Sequence, residues 1–364
     1  MPNATPASGT LTSGLPGLAR RAAGPAVIGT VALVVLSGLL VAGGFAVSTS
    51  LGALWHGAFG STDAVLSATL VRTIPLLLIG TGMVVALRAG VINLGGDGQL
   101  MAGAVAATAL GLSMQHATGF SAIVLALTAA CAAGAAWTLI PAWLKARFGT
   151  MEVVSTIMMN FLAVFAVSYL VRGPLQEPTR LYPQSSSIPI QNQLPLLLEG
   201  SRLHAGILLA LIAAVSAWLV LEHTAAGFRL RAAGSNPNAA ELAGRIDVRR
   251  VQRAAFLTSG ALAGLAGGVE VLGVTYALYE NLSPGYGYSA IAVALLARLG
   301  PLRAVGSALL LGALSAGANA MQRDAGIPAG AAATVEATLI LAVLGGQAIL
   351  LRRMASRFSP GGPS

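Results

Sequence analysis

Charge is what this chain has least of. Only 9% of its 364 residues are charged, and the 12 acidic residues are outnumbered by 21 basic ones, where ordinary globular domains carry about 25% charged residues. A soluble fold of this length needs a polar shell that the sequence does not supply. Cysteine is nearly absent: the single Cys131 excludes an intramolecular disulfide and a cysteine-based metal site. Lysine is reduced to Lys145, and no Gly-x-x-x-x-Gly-Lys-Ser/Thr occurs, so no phosphate-cradling loop is encoded. The four histidines, His56, His116, His204 and His223, are isolated, and no metal-ligand cluster is expected. No base is placed to activate a serine nucleophile, so the chain is not expected to be an enzyme. The net charge of +9 could suggest nucleic acid, but the arginines are scattered between apolar runs and form no stripe.

What is present is apolar sequence: 55% hydrophobic residues, a mean hydropathy of +0.78 and 45 glycines, small enough to let helices pack closely in lipid. The expected fold class is therefore an all-α integral membrane protein. About ten transmembrane helices are predicted, each needing about 20 mostly apolar residues: Ala26–Ser48, Ala64–Leu87, Leu100–Met114, Ala122–Leu144, Val153–Val171, Leu203–Leu221, Ala254–Val274, Tyr288–Ala297, Val305–Met321 and Ala329–Leu351. The first is too long for a signal-peptide core and reads as a retained helix. The third and eighth are short enough to be broken or re-entrant, which is tolerated where protein or a water-filled cavity satisfies the backbone.

With a cytoplasmic N-terminus, ten crossings place 16 of the 21 basic residues in cytoplasmic segments and leave Arg72, Arg172, Arg180, Arg202 and Arg323 elsewhere. This asymmetry is the one the positive-inside rule requires. The organisation that follows is a cytoplasmic tail over 1–25, a membrane domain over 26–351 and a second cytoplasmic tail over 352–364. Within the domain lie a long external loop at 173–202 and a polar cytoplasmic loop at 222–252. The second span enters from outside and the seventh from inside, an arrangement compatible with an inverted repeat.

The cytoplasmic loop contains a helix signal. Asn236 suits an N-cap, Pro237 the first helical position, and Gly244 a left-handed end. A helix of about two turns is marginal alone in water and needs something to dock on. It is either one turn of a solvated loop or a coupling helix for a separate soluble subunit, with Gly234, Asn236, Pro237, Ala240, Glu241 and Gly244 carrying the contact.

Asn93–Gln99 interrupts an apolar stretch with Gly95, Gly96 and Gly98. It is either a tight loop or a broken helix lining a pathway or gate, with Asn93, Asp97 and Gln99 offering hydrogen bonds. Ionisable groups inside spans are costly, which singles out Arg72, Glu270 and Glu336. Arg72 could pair with a carboxylate that the sequence alone does not select. Glu152 stands at a helix N-terminus, where a carboxylate is favoured. Asn160 and Asn319 are either interhelical glue or substrate contacts. Phe161, Tyr169, Tyr276 and Tyr279 could stack on a base or anchor the interface.

Four segments carry a resemblance. Ala232–Gly244 resembles the coupling segment of bacterial ABC-importer permeases of the ribose, branched-chain amino acid and nucleoside group. Arg72–Gly80 with Arg88–Gln99, Ser259–Glu270, and Ser283-Pro-Gly-Tyr-Gly-Tyr288 are similar to the nucleoside-type permeases, where Glu commonly stands in place of Asp97. The resemblance runs from about Arg72 to Leu351, and the chain looks like the longer of two nucleoside-type permeases. It implies a second, usually different permease, a cytoplasmic ATP-binding subunit that holds ATP and Mg, an extracytoplasmic solute-binding protein and membrane lipid as partners. It places the chain in a bacterial inner or plasma membrane. The implied function is inward passage of a nucleoside or related polar solute by alternating access. A simple sugar or branched-chain amino acid is the near alternative as cargo, and an ion-gradient-driven secondary transporter the distant one.

Overall fold

The computed structural model describes residue 30 and residues 33–114, 119–244 and 246–358, with side chains of 243–244 and 347–358 outside that description. The chain is all-helical apart from three isolated β-bridges among the described residues. Seven helices, counted with their π-helical extensions, are long and apolar enough to cross a membrane. In chain order the elements are α1 (Leu33–Ala42), α2 (Val47–Phe59), α3 (Leu70–Arg88), α4 (Gly96–Ser113), α5 (Phe120–Phe148), α6 (Glu152–Arg172), α7 (Gly206–His223), α8 (Ala225–Ser235), α9 (Pro237–Gly244), α10 (Val248–Glu270), α11 (Tyr286–Leu296), α12 (Pro301–Asp324) and α13 (Ala329–Phe358). Short π-helical segments, Ala64–Thr69 and Val271–Thr275, extend α3 and α10.

Helices α3, α10 and α12 form the buried centre, while α5, α6, α7 and α13 present leucine, valine and phenylalanine outward. Such faces are stable only where lipid or another apolar surface covers them. The α4–α5–α10 contact is built on glycine. A Cβ on Gly267 would lie 1.9 Å from the Leu100 carbonyl oxygen, and one on Gly264 2.2 Å from that of Ala130. The run Ser259–Glu270 is therefore a surface on which two neighbouring helices lie backbone to backbone.

The span expected at Ala26–Ser48 is corrected. Apart from Thr30, residues 26–32 lie outside the described region; beyond them the helix stops after Ala42, and α2 starts at Val47. Gly44 takes φ +78°, and the Phe45 ring folds over Gly43, where a Cβ would meet it at 2.8 Å. Two successive glycines lower helix propensity by about 1 kcal/mol each, enough to end α1. Helix α2 then packs its Gly57 against Ala320 of α12.

The ends of the bundle differ. Arg88, Lys145, Arg147, Arg229, Arg231, Arg250, Arg298 and Arg303 lie at helix ends or connections on one side, the basic end. The opposite end is covered by residues 173–205. That segment is fastened rather than loose: the N–H groups of Ser185, Ile188 and Leu194 donate to the carbonyls of Leu278, Tyr276 and Leu272 at 2.8–3.0 Å. Asn192 closes the end of α4 by donating to the Gly111 and Met114 carbonyls, both at 3.2 Å.

Candidate functional site: a junction of two helix N-termini

The third and eighth apolar elements, α4 and α11, both begin inside the bundle. Gly96, the first residue of α4, packs against the Ile79 side chain halfway along α3 and lies backbone to backbone with Gly287 of α11. Nine residues separate Ile79 from Arg88, so the junction sits about 13 Å in from the basic end. Residues 89–95 reach it from the basic end as non-helical chain that turns at Gly90, and 276–285 reach it from the opposite end. From there α4 and α11 run in opposite senses. Two helix N-termini thus meet, each with unsatisfied N–H groups and partial positive charge.

Asp97 occupies the meeting point. Its Oδ1 accepts from the Gly287 N–H at 3.0 Å and from the Ser283 hydroxyl. The Ser283 Oγ in turn accepts from the Tyr286 N–H at 3.1 Å, capping α11. Gly285 adopts φ +94°, a conformation that favours glycine. A Cβ on Gly287 would lie 2.3 Å from the Asp97 nitrogen. The segment Ser283–Tyr288 therefore supplies a cap, a left-handed turn and a close approach, all directed at Asp97.

Asn93 and Gln99 form a reciprocal amide pair at 2.9 and 3.0 Å, and Asn93 also donates to Ser259 of α10 at 2.9 Å. Asn160 of α6 donates to the Leu94 carbonyl and accepts from the Gly98 N–H, both at 2.8 Å; it also donates to the Tyr288 hydroxyl at 3.2 Å. Four elements, α4, α6, α10 and α11, are pinned to one broken backbone. Asn93, Asp97, Gln99 and Asn160 are brought together here, with their polar groups engaged by protein partners. Glu270 stands apart. It is buried near the end of α10, within electrostatic reach of Arg72 on α3. Glu336 on α13 is also within reach of Arg72, yet no direct ion pair links Arg72 to either carboxylate among the described residues. Beside this group lies a cavity of about 140 Å³ lined by Leu76, Tyr286, Ser289, Asn319, Gln322 and Glu336, among others.

At the basic end the helix expected from Asn236 to Gly244 is present as α9. The Asn236 Oδ1 accepts from the Ala239 N–H at 3.1 Å. Ala240 turns inward on Ala233, Ile246 and Val248, whereas Leu242 is 88% exposed. The helix before it, α8, lies within the stretch expected as a polar loop over 222–252, and Gly227 and Gly234 stand inside it. They are close contacts: a Cβ on Gly234 would lie 2.1 Å from the Arg88 carbonyl oxygen. Arg88 ties this region together. It donates to the Leu299 carbonyl at 2.8 Å and pairs with Glu222 at 3.1 Å, and Arg231 of α8 meets the same carboxylate at 3.5 Å. Gln252 donates to the Ala89 carbonyl at 3.2 Å. Glu152 opens α6 as expected and pairs with Lys145. At the other end Glu280 accepts from Ser168 at 2.7 Å and pairs with Arg172, which holds its carboxyl below the usual range.

Residues 65–345 match the family model described as branched-chain amino acid transport system / permease component. The chain is 38% identical to the guanosine ABC transporter permease protein NupP of Bacillus subtilis, over 85% of this chain and 89% of that one. It is 34% identical to the glucose ABC transporter permease protein TsgB13 of Haloferax volcanii, over 76% and 75% of the two chains. It is 32% identical to the nucleoside ABC transporter permease protein NupB of Lactococcus lactis, over 79% and 80%. No solved structure matches. An apolar helical bundle, two helix N-termini meeting inside it and a matched region covering most of its length lead to one conclusion: the chain belongs to the family of ABC-importer membrane permeases.

Proposed function

We propose that this chain is one of two permeases in a bacterial inner- or plasma-membrane importer, passing a nucleoside or related polar solute toward the cytoplasm. Its basic end faces the cytoplasm, in keeping with the positive-inside rule, and both termini lie on that side. ATP is hydrolysed, with Mg, on a separate subunit. The observation that carries the reading is α9: a capped two-turn helix outside the bundle with Leu242 exposed, fixed through α8 and Gly234 to the end of α3. Force applied there by an ATP-binding subunit reaches α3, α10 and the chain entering the junction as a unit. The junction then serves as the gate, since Asp97 and the Asn93–Gln99 pair are hydrogen-bonded brackets that must re-form if α4 and α11 part. The inverted sense of α4 and α11 supports an inverted repeat with the site at the midplane. The cap at 173–205 offers a face for a solute-binding protein.

Nucleoside as cargo rests on the guanosine and nucleoside permeases among the relatives; the glucose permease keeps a simple sugar as the alternative. The test is competition of radiolabelled guanosine uptake in vesicles holding the intact importer. Displacement by unlabelled nucleosides and not by glucose is expected; displacement by glucose alone would transfer the cargo to sugars.

A further inference from the structure

At the basic end α7 and α10 stand on either side of a gap that α8 crosses. The space between them is a cleft of about 560 Å³. One wall is the α7 stripe through Ala213, Ala217 and Val220, and the other is the α10 stripe through Val251, Ala254 and Leu262. Thr258 on the second wall turns its hydroxyl back to the Ala254 carbonyl at 2.9 Å, so its polarity is spent within its own helix. Elsewhere on α7, Leu208, Leu211 and Ile212 are exposed.

Its mouth is basic. Arg229 of α8 and Arg250 of α10 both line it. Arg229 is exposed and touches only the carbonyl of Ala225, at 3.3 Å, among the described contacts. Arg250 is 87% exposed, and its side chain has only a 3.9 Å approach to Asp247 among the described residues. Glu222, the carboxylate nearest to Arg229 in the chain, is occupied by Arg88 and Arg231. An apolar slot capped by two cations at the level where α7 ends is complementary to a lipid acyl chain below an anionic headgroup.

We propose that this cleft is a binding site for an anionic phospholipid of the basic-end leaflet, one acyl chain lying between α7 and α10 and the phosphate between Arg229 and Arg250. The bound lipid braces α8, and through it the segment that carries α9. The assignment depends on the chain lying in a bilayer and on neither the cargo nor the orientation proposed above. A free phosphate would gain nothing from the apolar walls, and a protein partner would leave lipid binding unselective.

The test is native mass spectrometry of the intact importer in mild detergent, titrated with phosphatidylglycerol or phosphatidylcholine. Preferential retention of phosphatidylglycerol is expected. Joint replacement Arg229→Gln and Arg250→Gln should lower it on the order of tenfold, given the contribution of each basic residue near an anionic surface. Ala254→Phe, which fills the cleft from an exposed position, should lower retention of both lipids at that site. The wild-type importer reports without any variant: equal retention of the two lipids overturns the proposal. So does full phosphatidylglycerol retention in the double variant, or displacement of lipid by soluble glycerol phosphate at equal concentration.

Discussion

At the residue scale the junction depends on groups that have no room to change. Gly287 is the sharpest case. A side chain there would meet the Asp97 nitrogen at 2.3 Å, backbone that does not yield as a flexible side chain would. Gly287→Ala is expected to cost about 1–3 kcal/mol by overpacking, seen as a lower melting temperature in detergent. An unchanged melting temperature would show that α4 and α11 do not touch. Ser283→Ala leaves Asp97 one donor short and the Tyr286 N–H without its acceptor. A loss of about 1–3 kcal/mol follows from burying unsatisfied polar groups, measured the same way. Asp97, Asn93 and Gln99 were visible in the sequence because a glycine-rich polar run breaks an apolar one. Their partners were not: Ser259 and Ser283 stand 166 and 186 residues away, and only the tertiary fold joins them.

Elements show the same division between local and distant information. The start of helix α9 was legible because its signals, an Asn cap and a Pro behind it, act within one turn. The short third and eighth segments were legible as anomalies, since each holds a shorter apolar run than the other spans. Helix α8 was hidden because a glycine demanded by close packing is indistinguishable in sequence from one that ends a helix. That contact predicts that Gly234→Val displaces α8 from the end of α3. Transport per ATP hydrolysed should fall several-fold while the bundle still folds, read as uptake and ATPase activity in the same vesicles. Unchanged coupling would remove α8 from the transmission path. The cap at 173–205 responds to acid. Hydrogen bonds from Gln184, Thr179 and the Tyr182 N–H hold the Glu177 carboxyl below its ordinary value of 4.5, and Glu280 is lowered by Arg172 and Ser168. Carboxyls with depressed folded values stabilise above the unfolded value and lose that contribution as pH falls through the folded one. Protease cleavage within 173–202 should be constant between about pH 5 and 8 and increase below about pH 4.5. A rise already at neutral pH would contradict the carboxylate anchoring.

For the whole molecule, composition alone fixed the solvent: few charges and many apolar residues leave lipid as the only medium for this surface. The basic bias of one end was equally readable. What composition could not supply was which faces pack and which meet lipid. That choice rests on where α10 offers Gly260, Gly264 and Gly267 to its neighbours. In the proposed function the bundle is a passive gate, driven from outside through an exposed helix. Leu242 is the most exposed large apolar side chain on that helix. Leu242→Asp should abolish recovery of the ATP-binding subunit with the tagged chain and, in vesicles rebuilt from purified parts, ATP-dependent uptake. The most direct measurement is uptake by the wild-type chain reconstituted first alone and then with its partner subunits and ATP. No uptake is expected from the chain alone under any ion gradient, and uptake is expected when the partners and ATP are present. Uptake by the chain alone, driven by a proton or sodium gradient, would contradict that proposal.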